Sequence, residues 1–245
     1  MFTPAIRNII IACTGVFFVQ TLLKLFFPSD YTAWFQLEFG LVPLAVTHGL
    51  RFWQPLTYIF LHENIWHILF NLLFLWMFGV DLERTWGTHR FYVYFFLTGI
   101  GAGLINVLVE TALDPHGVGK STTIPTIGAS GAIYGVLLAA AIMFPDRQIW
   151  LIPFPVTIPM KLYVAGAIAI EFFSTLGADK DSVSHVTHLG GALVGYLYLR
   201  RGLFMYRARN NFLDWKRRRA KRKFEVYMRD HKNDPPGSSD DRWVN

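Results

Sequence analysis

The sequence is poor in charged residues and in cysteine. Charged side chains make up 16% of the 245 residues, whereas 53% are hydrophobic and 16% are aromatic. Ordinary soluble domains carry about 25% charged residues, so the polar surface here is too small to cover a soluble core, and a membrane protein is predicted. The single cysteine, Cys13, excludes an intrachain disulfide framework, and its apolar neighbours predict a small buried side chain.

The formal net charge of +6 comes mainly from the C-terminus, where basic residues cluster between Arg200 and Lys223. Such a cluster can bind nucleic acid, but directly after an apolar stretch it is more often a cytoplasmic segment that contacts anionic lipid headgroups. We therefore predict a lipid contact and no nucleic-acid partner. No small-residue cleavage site follows the first apolar run, which favours a spanning helix over a secretory signal.

Six apolar stretches divide the chain, each near the roughly 20 residues that a bilayer requires. They lack the alternation of a barrel and must satisfy their own backbone groups in lipid, so helices are predicted. They lie at about 7–27, 56–80, 91–113, 128–144, 159–177 and 185–204. The lysine and arginine distribution predicts cytoplasmic N- and C-termini.

The fold class predicted from these stretches is an all-α membrane protein with six transmembrane helices. Its membrane domain covers 1–204, and a basic cytoplasmic tail with a disordered end covers 205–245. The outer segment 28–55 is long, aromatic and interrupted by glycine and proline. It is predicted to be an interfacial loop partly dipped into lipid.

The fourth stretch begins with a Gly-Ala-Ser-Gly motif at 128–131. Small residues at Gly128, Gly131 and Gly135 would let a neighbouring helix approach closely, and taken alone the motif is a common helix-packing stripe. A serine in such a stripe can simply bond to the preceding turn. Ser130 becomes a candidate nucleophile only because of what the sixth stretch contains.

The sixth stretch carries His188, Gly191 and Gly195 on one helical face, at i, i+3 and i+7. Two facing stripes of small residues would bring this face against the fourth stretch. Ser130 and His188 would then meet, and Tyr134, one turn below Ser130, could pack against the imidazole. A membrane histidine is costly and tends to mark function, with a hydrogen-bonded structural histidine as the alternative.

The second stretch carries His67 and Asn71 at i and i+4, so both side chains point the same way. Both can donate hydrogen bonds to the negative charge that develops on a carbonyl oxygen under attack. The alternative is that Asn71 joins helices and His67 is a satisfied polar group. Because the second, fourth and sixth stretches run in the same direction, His67, Ser130 and His188 are predicted to share a water-accessible cavity.

Three motifs together resemble the rhomboid proteases in their order and spacing. They are His-x-x-x-Asn at 67–71, Gly-Ala-Ser-Gly at 128–131 and His-x-x-Gly-x-x-x-Gly at 188–195. The resemblance covers about residues 7–204, which is the whole predicted membrane core. Each motif is weak alone, and the combination is specific.

The resemblance implies an intramembrane serine endopeptidase that needs no cofactor or metal and cleaves single-span membrane proteins. Ser130 and His188 would form a catalytic dyad through an acyl-enzyme, and His67, Asn71 and the Ser130 amide would stabilise the oxyanion. No acidic residue is evident beside His188, so a dyad is expected rather than a triad. A compact core with a basic tail is compatible with a bacterial inner membrane. The loop at about 178–184 is a candidate lid.

Two positions complicate this interpretation. Many members of the family carry Trp-Arg in the first loop, whereas this chain has Trp53-Gln54; the loop supports the structure, so activity is still expected. His185 precedes His188 by three residues and is a rival base, but His188 has the register of small residues behind it.

Three other functions compete with this interpretation. A zinc protease built on His62 and His67 is disfavoured, because ligands at i and i+5 of one helix point about 140° apart. An inactive relative that binds membrane clients usually lacks the serine or the histidine, and both are present. A transporter would need intramembrane charges along a path. Glu171 is the single strong candidate in the sequence, and a helix–helix hydrogen bond explains it as easily.

Overall fold

A computed structural model describes residues 2–114, 122–150, 156–176 and 185–201. In chain order its helices are α1 (Pro4–Phe26), α2 (Ser29–Phe39), α3 (Pro43–Thr47), α4 (Gln54–Thr57), α5 (Ile65–Trp86), α6 (Thr88–Leu113), α7 (Ser130–Met143), α8 (Met160–Leu176) and α9, the helical residues 185–201. A short 3-10 turn, Tyr58–Phe60, follows α4. Each of the six predicted apolar stretches overlaps one of the helices α1, α5, α6, α7, α8 and α9.

The outer surface of these helices is apolar. Large side chains such as Phe18 on α1, Leu108 on α6 and Phe173 on α8 are exposed. Among the described residues, α1, α5 and α6 are long and apolar enough to cross a membrane, and α7 is a shorter apolar helix. A continuous apolar exterior is stable in lipid rather than in water, so the chain is an integral membrane protein.

The helix of the second stretch, predicted at 56–80, begins later than expected because Asn64 caps α5, and it continues past 80 to Trp86. The Asn64 side chain accepts a hydrogen bond from the His67 N–H at 2.9 Å, which starts the helix at Ile65. At its other end α5 stops at Gly87, whose φ of +83° favours glycine. The next helix begins at Thr88, so α5 and α6 form a tight hairpin.

The segment between α1 and α5 contains short helices rather than a plain loop, and Gln54 holds them together. Gln54 is buried; its Oε1 accepts the Val42 N–H at 2.9 Å and its Nε2 donates to the Leu37 carbonyl at 2.8 Å. Arg51 donates to the same carbonyl at 3.0 Å and pairs with Glu38 at 3.0 Å. The glutamine after Trp53 therefore organises this segment by its own hydrogen bonds.

One element departs from the all-α prediction. Where the sequence predicted a connecting loop, β1 (Gln148–Trp150) and β2 (Thr157–Pro159) form an antiparallel ribbon with Ile149 opposite Ile158. The buried Ile149 gives this ribbon an inward-facing side chain, which explains why it pairs instead of remaining a loop.

Helices α7 and α9 meet through their glycines. A Cβ on Gly191 would overlap the carbonyl oxygen of Gly131 and lie 2.7 Å from its carbonyl carbon. A Cβ on Gly195 would lie 3.3 Å from the Gly135 Cα. Tyr94 of α6 completes the joint, because its hydroxyl donates to the Gly135 carbonyl at 2.7 Å. The two stripes of small residues therefore face each other, at the distance that only glycine permits.

Residues Met1–Leu199 form one compact unit by their contacts, and the second unit, Arg200–Asn245, lies almost entirely outside the described residues. The candidate lid at 178–184 and the basic tail at 205–245 also lie outside them. The predicted domain boundary, the number of membrane crossings and the side of each terminus stay predictions.

Candidate active site

Ser130 and His188 are hydrogen-bonded across the α7–α9 joint. Ser130 is the first residue of α7, and the Nε2 atom of His188 lies 2.7 Å from its Oγ. The close approach of Gly131 and Gly191 places the two side chains next to each other. A hydroxyl bonded to an unprotonated imidazole nitrogen is the arrangement from which a serine is activated as a nucleophile.

Tyr134 fixes the plane of the His188 ring. The two rings are stacked, with centroids 4.5 Å apart and planes 12° apart. The Tyr134 hydroxyl donates to Oε1 of Glu171 at 2.5 Å, so the stacked ring is itself tethered to α8. The predicted contact between Tyr134 and the imidazole is thus present in the structure.

A cavity of about 400 Å³ opens beside Ser130. Its polar lining includes Ser130, His188, His67, Asn71 and Tyr134, so the structure brings these predicted residues together. Apolar side chains of α5, α7 and α8 form most of the remaining wall. A mostly apolar wall with a few convergent polar groups is typical of a ligand-binding or active site.

His67 presents a donor towards the start of α7. Its Nδ1 accepts the Glu63 N–H in a long hydrogen bond of 3.4 Å, which favours the tautomer with the proton on Nε2. That Nε2 atom lies beside Gly128, where a Cβ would be 2.7 Å from it. Asn71 donates one amide hydrogen to the His67 carbonyl at 2.9 Å. An amide carries two such hydrogens, so a second donor is available at the cavity wall.

Gly128 shapes the entry into α7. Its φ of +128° is a conformation that other residues rarely adopt, and a side chain there would strike His67. Its N–H is fixed by the Tyr58 carbonyl at 2.9 Å. The helix then starts at Ser130, and the first N–H groups of a helix lack intrahelical acceptors and favour negative charge.

The expectation that no acidic residue lies beside His188 is wrong. Oε1 of Glu171, on α8, lies 3.0 Å from Nδ1 of His188, and its Oε2 is hydrogen-bonded to Nδ1 of His185. His185, the rival base, therefore contacts Glu171 and not Ser130. Spacing along the sequence relates residues of one helix and could not predict that Glu171 of α8 contacts α9. A lone carboxylate in an apolar stretch nevertheless indicates a polar partner.

His62 and His67 do not lie on one helix, because His62 precedes α5. The angle of about 140° predicted between them therefore does not apply. The two rings lie 5.2 Å apart, edge to face. His62 is buried, and this burial, with the neighbouring His67, lowers the pKa of His62 to about 4. Among the described residues, the trio with metal-ligand spacing is instead Glu171, His185 and His188.

Comparison with known proteins gives the family. A model of the rhomboid domain matches residues 49–203, which is more than half of the chain. The chain therefore belongs to the rhomboid family. The matched range includes all the residues that line the candidate site.

Several relatives share this domain. The chain is 32% identical over 140 residues to Rhomboid protein 1, mitochondrial, of Saccharomyces cerevisiae, covering 57% of this chain and 38% of that protein. It is 29% identical over 189 residues to Rhomboid-like protein 11, chloroplastic, of Arabidopsis thaliana, covering 74% and 62%. It is 30% identical over 147 residues to Rhomboid protease GluP of Bacillus subtilis, covering 60% and 25%. The matches thus span less than two thirds of these relatives.

Proposed function

We propose that this chain is a serine endopeptidase that hydrolyses peptide bonds of membrane proteins inside the bilayer. The observation that carries the proposal is the 2.7 Å contact between His188 Nε2 and Ser130 Oγ at the wall of an apolar cavity. The similarity to a relative named as a rhomboid protease supports the same class of activity.

In the first chemical step, Ser130 Oγ bonds to the scissile carbonyl carbon and its proton passes to His188 Nε2. The carbonyl π electrons move to the oxygen and form a tetrahedral oxyanion. His188 then gives the proton to the leaving amine as the C–N bond breaks, which leaves an acyl-enzyme. Water attacks this ester with His188 again as base, and the proton returns to Ser130 as the acid product leaves.

Three donors are assigned to the oxyanion: the His67 Nε2–H, the Asn71 amide and the Ser130 backbone N–H. Donors of this kind contribute about 3–4 kcal/mol each in soluble hydrolases. The Glu63 N–H contact at His67 Nδ1 and the position of Nε2 beside Gly128 support this assignment. Gly128, Gly131, Gly191 and Gly195 act by allowing the close approach of the elements that carry these groups.

We infer the substrate class from the proposed position of the site within the bilayer. A helical peptide bond is sheltered by its own hydrogen bonds and must unwind before attack, so single-span proteins with easily unwound segments are the proposed substrates. The proposal includes six crossings, both termini in the cytoplasm and a tail that binds anionic lipid. It also assigns the protein to a bacterial inner membrane. The yeast and Arabidopsis relatives carry mitochondrial and chloroplastic names. Cell fractionation tests the assignment.

The test is cleavage of a single-span substrate in liposomes by the parent, Ser130→Ala and His188→Ala. We expect the parent to cut and each variant to lose on the order of 10⁴-fold or more in kcat, as in soluble serine proteases. A fluorophosphonate probe should label the parent and not Ser130→Ala.

His185→Ala serves as the control, because His185 does not touch Ser130. It should retain the nucleophile and its base, and therefore measurable cleavage. A parent that neither cuts several substrates nor reacts with the probe would favour the alternative, an inactive rhomboid-like protein that binds membrane clients. Loss of cleavage in His185→Ala together with full activity in His188→Ala would overturn the assignment of the base.

A further inference from the structure

Glu171 is a buried carboxylate in an apolar helix, 9% exposed. Burying an ionised group is expensive unless it is paired and hydrogen-bonded. Its Oε1 accepts the Tyr134 hydroxyl at 2.5 Å, and its Oε2 is bonded to Nδ1 of His185. The carboxylate is therefore held from two sides, by α7 and by α9.

The same carboxylate faces the second nitrogen of His188. Oε1 lies 3.0 Å from Nδ1, on the opposite side of the ring from Ser130. In this conformation Nδ1 is buried and does not form a directed hydrogen bond, so the oxygen is near but out of line. Catalytic hydrogen bonds are often poorly aligned before substrate binds and tighten in the complex.

A base that removes the Ser130 proton through Nε2 must carry its own proton on Nδ1. A carboxylate beside Nδ1 favours that tautomer and stabilises the imidazolium that forms during the reaction. The proton stays on Nδ1, and the carboxylate is not protonated. The titratable groups around this position are Glu171 on α8, Tyr134 on α7, His185 on α9 and His67 on α5.

We propose that Glu171 is a positioning residue that orients His188, so that Ser130, His188 and Glu171 work as a triad held by Tyr134 and His185. The proposal rests on the proposed protease function and extends it by one residue. It accounts for three observations together: the buried charge, the two bonds that hold it, and its approach to the histidine that contacts Ser130.

The competing explanation is a metal ion. Glu171, His185 and His188 offer ligand atoms within 4.8 Å of one another. A metal bound to Nδ1 of His188 would replace the proton that the base mechanism requires. Assay of the parent with and without a strong chelator separates the two explanations.

The test compares Glu171→Gln with the parent in liposomes. Glutamine has the same size but no charge, so we expect kcat to fall by about 10²-fold with KM changed by less than about threefold. This is less than the roughly 10⁴-fold seen when a soluble triad loses its carboxylate, because stacking on Tyr134 still orients the ring. A merely structural role would instead lower the folded fraction and leave kcat per folded molecule unchanged.

Glu83→Gln is the matched control, because it makes the same change at another buried glutamate, near the C-terminal end of α5. Glu171→Asp is the second variant if glutamine prevents folding. It keeps the charge and shortens the side chain, so its kcat should lie between those of the parent and Glu171→Gln. An aspartate variant whose kcat is no higher than that of the glutamine variant would count against the positioning role.

The outcomes separate this proposal from the function on which it rests. A parent that cuts, with Ser130→Ala inert and Glu171→Gln within about threefold of the parent, would overturn the role of Glu171 and keep the protease. A parent no more active than Ser130→Ala would overturn both. A chelator effect above about twofold on the parent would overturn positioning in favour of a metal.

Discussion

Two of the buried glutamates among the described residues occupy different regions of this molecule. Glu83, 2% exposed, lies near the C-terminal end of α5, whereas Glu171, 9% exposed, lies in α8 beside the candidate site. His67 and Glu83 are both on α5, about 24 Å apart at the α-helical rise. The two carboxylates therefore stand well apart in the molecule, and each is surrounded by donors.

The partners of Glu83 are backbone N–H groups and hydroxyls. Its Oε1 accepts the Ala5 N–H and the Thr88 hydroxyl, each at 2.8 Å, and its Oε2 accepts the Ile6 N–H at 3.1 Å and the Thr3 hydroxyl. These five residues, which we name the clasp, tie the start of α1 to the α5–α6 hairpin. A carboxylate at a helix N-terminus is a stabilising arrangement.

The partners of Glu171 differ in kind, because two of them are histidines and one of these contacts a serine. A buried acid in an apolar helix therefore does not by itself mark an active site. What marks it is whether its partners can exchange protons with a nucleophile. The clasp should therefore govern stability, and the Glu171 region should govern turnover.

The largest expected effect comes from breaking the joint that holds the Glu171 region together. In Gly191→Ala, the new methyl group would overlap the Gly131 carbonyl, where backbone meets backbone and neither side can move easily. Helices α7 and α9 should separate, and a displacement of about 1 Å at reacting groups costs about 10²-fold in rate. We expect kcat to fall by at least about 10²-fold in the liposome assay.

Gly190→Ala is the matched control for that prediction. Its Cβ would lie 3.2 Å from Cβ and Cγ2 of Ile105, a contact that a displacement of a few tenths of an ångström relieves, so at least about half of the parental kcat should remain. Equal losses in both variants would show that any added methyl group disturbs α9, and would remove the special role of the joint.

The contact between α7 and α9 could be predicted from the sequence because each of its two sides is a local pattern. Gly131 and Gly135 lie four residues apart, as do Gly191 and Gly195, so each pair forms a stripe of small residues on one face of its helix. The same logic paired His67 with Asn71. Patterns of this kind are readable because helix geometry alone relates the residues.

What the sequence could not supply is the rotation of one helix against another. Glu171 and His188 are on different helices, and no spacing rule relates them, so the acid beside the base was missed. The late start of α5 was missed for a different reason. Its apolar run continues upstream, and the hydrogen bond from the His67 N–H to Asn64 overrides the hydropathy.

The clasp gives the next largest effect. Glu83→Ala leaves several buried donors without an acceptor, which costs about 1–3 kcal/mol of the free energy of unfolding. Cys13, on α1, is the chain's single cysteine and is 0% exposed. Its reaction with a maleimide dye during heating therefore reports the release of α1, and we expect the midpoint to fall while kcat per folded molecule stays within about twofold.

Thr88→Val is the graded control, because it removes one donor from the clasp and keeps the carboxylate. Its midpoint should fall less than that of Glu83→Ala. If Glu83→Ala lowered kcat per folded molecule as much as Glu171→Gln does, stability and turnover would not be divided between the clasp and the Glu171 region.

The smallest expected effect concerns Tyr134, which contacts both His188 and Glu171. Tyr134→Phe keeps the ring stacked on His188 and removes the hydroxyl that donates to Glu171 at 2.5 Å. Because His185 still holds the other oxygen, we expect kcat to fall by only about 3–10-fold, the range of one lost hydrogen bond, with KM unchanged. Tyr134→Ala, which loses the stacking as well, should fall further; equal activity of the two variants would assign the whole effect to the hydroxyl.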